Sequence, residues 1–366
     1  MNEPVLEKLL SLLQIAIKGT LPDAELFTGM SIGDWELLYQ RAAQEGILAI
    51  AFDCVMQLPE ELQPPQPFRF KWAGSVDFIE QKSERMHSVA QDLAARFGEE
   101  GIRMLVVKGL SIAQYYPEPS HREFGDLDIY LFEHYETGNQ WLEQWGIPLI
   151  SYTEKHTKFS YREISVENHS HFISLPLHKK QSSQDDQRLK AWAAETHKNA
   201  APGSILFPDP DFSLVFFMYH ALGHFIPGRL SWRYFFDWAI ILRANKGKWD
   251  QAHYDAMFPI GSGFRRIADV ITSIAVDYLG LPSDEAPFFD CDTEAKKKIV
   301  EEMIRPASHY EGHLSRWKIL TYKYRQFVRR YWRMELAIPG SFKRSIVYSI
   351  LYHFRYPETI WRVRKR

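Results

Sequence analysis

Cysteine is scarce: Cys54 and Cys291 are the only two in 366 residues. They lie far apart and match no metal-binding or redox spacing, which excludes a disulfide framework and leaves two reduced, structural thiols. Long apolar runs are lacking too. Nowhere do the roughly 18 uncharged apolar residues of a membrane-spanning helix follow one another. The opening MNEPVLEKLLSLLQIAIKGTL has Glu3 and Glu7 where a secretory leader would be basic, and its leucines recur at helical spacing. A cytoplasmic protein is expected. Internal repeats and low-complexity tracts are also absent.

What the sequence does have is material for a core. It is 45% hydrophobic and 14% aromatic, over a length that suits two domains or one core with helical additions. Its charge is uneven: from Arg316 to Arg366 there are 14 Lys and Arg against two acids, Glu335 and Glu358, a surplus of 12. The whole chain carries −2, so the preceding residues carry −14.

Residues 1–57 read as helices, with Ser31 or Asp34 capping an apolar pattern spaced three and four residues apart. Pro59, Pro64, Pro65 and Pro67 then break the pattern, before a long helix predicted from Phe68 to about Glu100. The periodicity changes at IRMLVVKG, a short apolar run closed by glycine that suits a buried strand. LSIAQYY reads as a short helix, PEPSHREFG as a loop, GDLDIYLF as a second strand and EHYETGNQWLEQWG as a helix. The alternation in KHTKFSYREISVENHSHFISL suits an antiparallel pair. KKQSSQDDQRLK reads as a polar excursion, APGSILFPDPDF as a proline-broken connector, and the remainder as helix. The expected class is α+β. A helical region at 1–100 precedes a small mixed sheet at 101–180, and a helical region at 205–315 precedes a basic, aromatic helical tail at 316–366.

GDLDIYLF places Asp126 and Asp128 two apart, so a strand would present both on one face while Leu127 and Ile129 take the other. Two carboxylates so close repel unless a cation sits between them, and an all-oxygen ligand set favours Mg²⁺ or Mn²⁺. Upstream, Lys108-Gly109 forms a turn opening a helix, whose free backbone N–H groups suit a phosphate.

The stretch from Val106 to Phe132, with Lys108-Gly109 at the turn and Arg122, Gly125, Asp126 and Asp128 at the acidic strand, resembles the polymerase-beta-like nucleotidyltransferase superfamily. It is most similar to a branch of uncharacterised bacterial nucleotidyltransferases. The resemblance implies that Asp126 and Asp128 hold the metal ions that bridge a nucleoside triphosphate and an attacking hydroxyl. It also implies a third carboxylate on a later strand. Glu167 fits, because His169 completes an apolar-acid-x-His pattern; Glu163 and Glu154 are the fallbacks. Lys108, Gly109, Ser111 and Arg122 become the candidate nucleotide contacts, although Leu110 stands between the glycine and Ser111; the alternative role for Lys108 or Arg122 is to brace the loop. The implied activity is metal-dependent transfer of a nucleoside monophosphate to an acceptor hydroxyl on RNA, protein, a small molecule or a sugar derivative. The alternative is a catalytically silent nucleotidyltransferase fold acting as a binding or assembly module.

In YHALGHFIPGRLSWRYFFDWAIIL, His220 and His224 share a helix face, as do Arg233 and Asp237. Without a Glu directly after His220 or a third ligand, zinc is disfavoured, and a polar cluster between helices or a contact to substrate is expected. The tail interleaves Arg and Lys with Trp, Tyr and Phe. That pattern suits a nucleic acid, an anionic membrane surface with the protein peripheral to it, or docking on the acidic remainder of the chain. The pI near 6.7 argues against a dedicated nucleic-acid binder.

Overall fold

The protein, seen in a computed structural model, is described at residues 3–20, 23–173, 179–226, 228, 230–304 and 316–341, with 346–347, 350–351 and 354–355 beyond them. It is an α+β fold, helical at both ends of a six-stranded mixed sheet.

The N-terminal helices are α1 (Glu3–Lys18), α2 (Ile32–Glu45) and α3 (Leu48–Met56). A capping box starts α2: Ser31 Oγ accepts from the Asp34 amide at 3.2 Å, and Asp34 Oδ2 accepts from the Ser31 amide at 2.9 Å. Proline stops the helical run before α4 (Gln66–Glu99), 34 residues long. Met86, Val89, Ala90, Leu93, Ala94 and Phe97 recur along α4 at helical spacing and seat it on the sheet.

The strands are β1 (Met104–Val107), β2 (Leu127–Tyr130), β3 (Leu149–Tyr152), β4 (His156–Tyr161), β5 (Ile164–His169) and β6 (Ile205–Leu206). Their order is β3-β4-β5-β2-β1-β6. β1 and β2 run antiparallel, β2 and β5 parallel, and β4 and β5 antiparallel. Arg162 and Glu163, at φ 47° and 67°, make the two-residue turn between β4 and β5, as a tight hairpin requires. Alternation gives the sheet two apolar faces. Met104, Val106, Leu127 and Ile129 meet α4, together with Leu142 of α6 (Tyr135–Gln144). Leu105, Val107 and Tyr130 join a larger core shared with the helices at both ends of the chain.

Those later helices are α7 (Lys179–Thr196), α8 (Pro210–Phe225), α9 (Trp232–Ala244), α10 (Gln251–Met257), α11 (Gly263–Leu279), α12 (Thr293–Ile304) and α13 (Arg316–Ala337). A short α5 (Gly109–Ala113) follows β1. The segment KKQSSQDDQRLK, expected as a polar excursion, is the start of α7. Its inward face is itself polar. Asp185 accepts from Tyr219 Oη at 2.8 Å, and Asp186 accepts from the amides of Phe172 and Ile173 at 2.6 and 3.0 Å. Among the described residues no helix is long and apolar enough to cross a membrane.

Candidate active site

β1, β2 and β5 converge on one patch of the sheet. The register sets Val107 opposite Asp128 and Asp128 opposite Glu167, so the turn after β1 and two acidic strands meet there. Asp128, the second residue of β2, shares the sheet face of Tyr130 and is only 3% exposed. Asp126 is half-buried in the loop just before the strand. Glu167 is half-buried beside them, whereas Glu163 is exposed in the β4–β5 turn and Glu154 is exposed before β4.

The turn is unusual. Lys108 has φ 57° and ψ −136°, a region normally left to glycine, and such strain concentrates where function holds it. It directs the Lys108 ammonium to Asp128 Oδ1 at 2.5 Å. Gly109 follows, and a Cβ there would lie 3.4 Å from the Phe124 ring and 3.6 Å from the Asp126 carbonyl, in ordinary contact with the loop that carries Asp126. His169, fully buried, meets the same Asp128 oxygen with Nε2 at 2.7 Å.

The electrostatics follow from this crowding. Burial would raise the Asp128 pKa, but the Lys108 charge and the His169 hydrogen bond outweigh it and hold the carboxyl well below its usual range. Glu167 goes the other way. Burial and then the charges of Asp128 and Asp126 push it up to about 7. Burial also drops His169 to about 4, so it is a neutral imidazole. With its proton on Nε2 it donates to Asp128; with it on Nδ1 it donates to the His171 carbonyl at 3.3 Å and frees Nε2 as a ligand. His156 Nδ1 is buried with no hydrogen-bond partner, 3.5 Å from Glu167 Oε2. The ligand atoms of His156, Glu167 and His169 all lie within 4.8 Å of one another.

A cavity of about 120 Å³ opens beside these groups, lined by Lys155, Phe172, Ile173, Tyr219, His220, Gly223 and His224. The Lys155 ammonium has no hydrogen-bond or ion-pair partner among the described residues. Burial and Lys108 push it down to about 8, against the attraction of Asp128, Glu167 and Asp126. The His220 and His224 rings lie 4.5 Å apart, and Tyr234 Oη and His220 Nε2 are hydrogen-bonded at 3.3 Å. Burial and the neighbouring charge of Lys108 keep His220 neutral.

Two residues expected at the phosphates are engaged elsewhere. Ser111 is buried and its Oγ donates to the Lys108 carbonyl at 2.7 Å, closing the turn it sits in. Arg122 is buried against Asp237, with Nε and Nη2 each 2.9 Å from a carboxylate oxygen. Tyr116 Oη donates to the same Asp237 at 2.6 Å. Arg233, on the same helix face as Asp237, donates to the Glu123 carbonyl at 3.0 Å. With Lys82, which donates to the Phe124 carbonyl at 2.6 Å, these contacts clamp the loop that delivers Asp126. Lys155 and His156 escaped the sequence reading. The one signal for them was their place in the alternating run that ends at His169.

The comparisons with known proteins bear on the same region. No curated protein and no solved structure matches the chain. A family described as uncharacterised nucleotidyltransferase matches residues 32–260, from the start of α2 past α10, and so contains every residue of the site. The match covers more than half of the chain, which therefore belongs to the uncharacterised nucleotidyltransferase family.

Proposed function

We propose that this chain is a metal-dependent nucleotidyltransferase of the polymerase-beta-like kind, moving a nucleoside monophosphate from a nucleoside triphosphate to an acceptor hydroxyl. The observation that carries the reading is the pairing of Asp128 with Glu167 across adjacent parallel strands, with Asp126 half-buried just before the first of them. Burial first, and then the charges of Asp128 and Asp126, raise the Glu167 pKa to about 7, so the set would gain from a further cation. The unpartnered His156 Nδ1 beside Glu167 is a further vacant donor. These residues fit a divalent cation. Asp126, Asp128 and Glu167 would hold it, and an oxygen-rich set suits Mg²⁺ or Mn²⁺. When bound, the ion neutralises phosphate charge and makes the acceptor hydroxyl more acidic.

The protein's own groups do the rest by positioning. Lys108 exchanges Asp128 for phosphate oxygens. Lys155, which lines the neighbouring cavity, joins it; that cavity is too small for a nucleoside, since ligand pockets run to roughly 300–1,000 Å³, and suits a phosphate group. The acceptor oxygen attacks the α-phosphorus, the bond to the bridging oxygen breaks, and pyrophosphate leaves. The acceptor proton passes to a carboxylate of the set, and Glu167, less deeply buried than Asp128, is the one assigned to it. The clamp of Arg122, Asp237 and Tyr116 keeps Asp126 in line with Asp128.

One observation favours the silent binding module instead. Lys108 already occupies Asp128, and a lysine that never left would exclude both cation and phosphate. Thermal unfolding with each nucleoside triphosphate, with and without Mg²⁺ or Mn²⁺, separates the two. A triphosphate and metal together at 100 times their Kd should add about 2.7 kcal/mol of stability. Asp126→Asn, Asp128→Asn protein should gain none. Equal stabilisation of that variant, or none for any pair with the native chain, contradicts the assignment.

A further inference from the structure

α13 lies outside the family segment, and its two ends are used differently. At the C-terminal end, the Trp332 ring meets Phe225 edge-on at 5.8 Å, Arg333 Nε donates to Glu302 Oε2 at 3.0 Å, and Leu336, Ala337 and Ile338 are buried. These contacts seat the C-terminal end of the helix on the body. Toward the N-terminal end Trp317, Tyr324 and Val328 are 78%, 69% and 50% exposed. Their spacings of seven and four residues place them on one stripe of the helix. Lys318 and Arg325, also exposed, flank that stripe. Further on, Val347, Ile350, Leu351 and Phe354 are exposed as well, Phe354 at 88%.

Large apolar side chains held in water among lysines and arginines call for a partner that is apolar within and anionic at its surface. An anionic bilayer has that profile. Trp and Tyr settle at headgroup level, aliphatic side chains reach just below, and basic groups meet the phosphates. Single-stranded RNA would stack on Trp317 and Tyr324, but it offers nothing to Val328, Val347, Ile350 or Leu351. The −14 carried by the residues before Arg316 repels such a surface, so the body would face away from it and only the tail would approach.

We propose that the stripe of Trp317, Tyr324 and Val328, with the exposed apolar residues from Val347 to Phe354, is a docking surface for an anionic lipid bilayer, lying in the headgroup plane. The nucleotidyltransferase reading is not needed for it. The test is sedimentation of the full chain with vesicles of phosphatidylcholine alone or mixed with phosphatidylserine. The expected result is binding to the mixed vesicles only, weakened by salt. A Trp317→Ser, Tyr324→Ser, Val328→Ser variant should keep the native unfolding temperature, because these side chains pack on little. It should also lose affinity roughly tenfold or more, since each anchor withdrawn from an apolar phase costs on that scale. Lys318→Glu, Arg325→Glu protein should lose binding without touching the apolar stripe. Absence of binding to mixed vesicles overturns the proposal. So does equal binding by both variants, or capture of a labelled single-stranded RNA by a chain that ignores vesicles.

Discussion

Arg122 and Asp237 stand 115 residues apart in sequence and meet in a two-pronged, fully buried ion pair, each contact 2.9 Å long. One lies in the loop that leads to Asp126 and the other on α9, so the pair ties the acidic strand to the C-terminal helices. Removing one partner leaves a buried charge uncompensated. Asp237→Asn should therefore cost about 3–5 kcal/mol of stability by denaturant titration. An Arg122→Met, Asp237→Leu double variant should be less damaged than the two single changes added together. Additive losses would show that the pair is not coupled.

A second brace on the same loop predicts a pH dependence. Protonated His121 donates from Nδ1 to Asp53 of α3 at 2.6 Å and from Nε2 to Glu80 of α4 at 2.8 Å, with Glu118 also close. Burial opposes the charge, but the two carboxylates win and raise His121 to about 9. An unfolded histidine titrates near about 6.5. The stabilisation is thus complete below that value and fades as pH rises through about 9. Unfolding temperatures should fall between these limits for the native chain and fall less for His121→Gln. Identical slopes would contradict this.

Much of this fold was legible because its signals were local. The Ser31 cap, the proline stop, the long α4 stripe, the apolar β1 and the alternation of β4 and β5 each declare themselves within a few residues. α7 did not, because its buried face carries Ser182, Asp185 and Asp186, and the two carboxylates accept from Tyr219 and from two backbone amides, contacts that hydropathy does not register. At the site, the spacing of Asp126 and Asp128 was visible, while the employment of Arg122 was not. Its partner is set by packing of α9 against the sheet, and no local spacing encodes that. Lys155 was equally hidden, since its importance comes from the cavity beside it. The tail from 342 to 366 falls largely outside the described residues.

Lys155 should matter for the phosphates and little for the fold. Hydrogen bonds to charged groups contribute about 1.5–3 kcal/mol, so Lys155→Gln should weaken triphosphate binding by roughly tenfold or more in calorimetry. Lys246→Gln, whose ammonium pairs with Asp284 and Glu285 outside the site, should bind as the native chain does. Equal effects would remove Lys155 from the site.

The seat of α13 rests on a close approach. A Cβ on Gly263 would stand 2.1 Å from the Ala337 carbonyl oxygen, which is backbone and yields little. Gly263→Ala should cost about 1–3 kcal/mol and loosen the C-terminal end of α13, measurable as faster amide exchange after Met334. Unchanged stability and exchange would mean that α13 does not sit there.

The most direct test of nucleotidyl transfer uses triphosphates labelled at the α-phosphate, incubated with the protein and Mg²⁺ or Mn²⁺ in a lysate that supplies acceptors. Transfer predicts label in a discrete acceptor class together with unlabelled pyrophosphate. Asp128→Asn should lower that signal by orders of magnitude, as should Glu167→Gln. Label recovered only as free nucleotide, or labelled acceptor formed equally well by Asp128→Asn protein, would contradict the account.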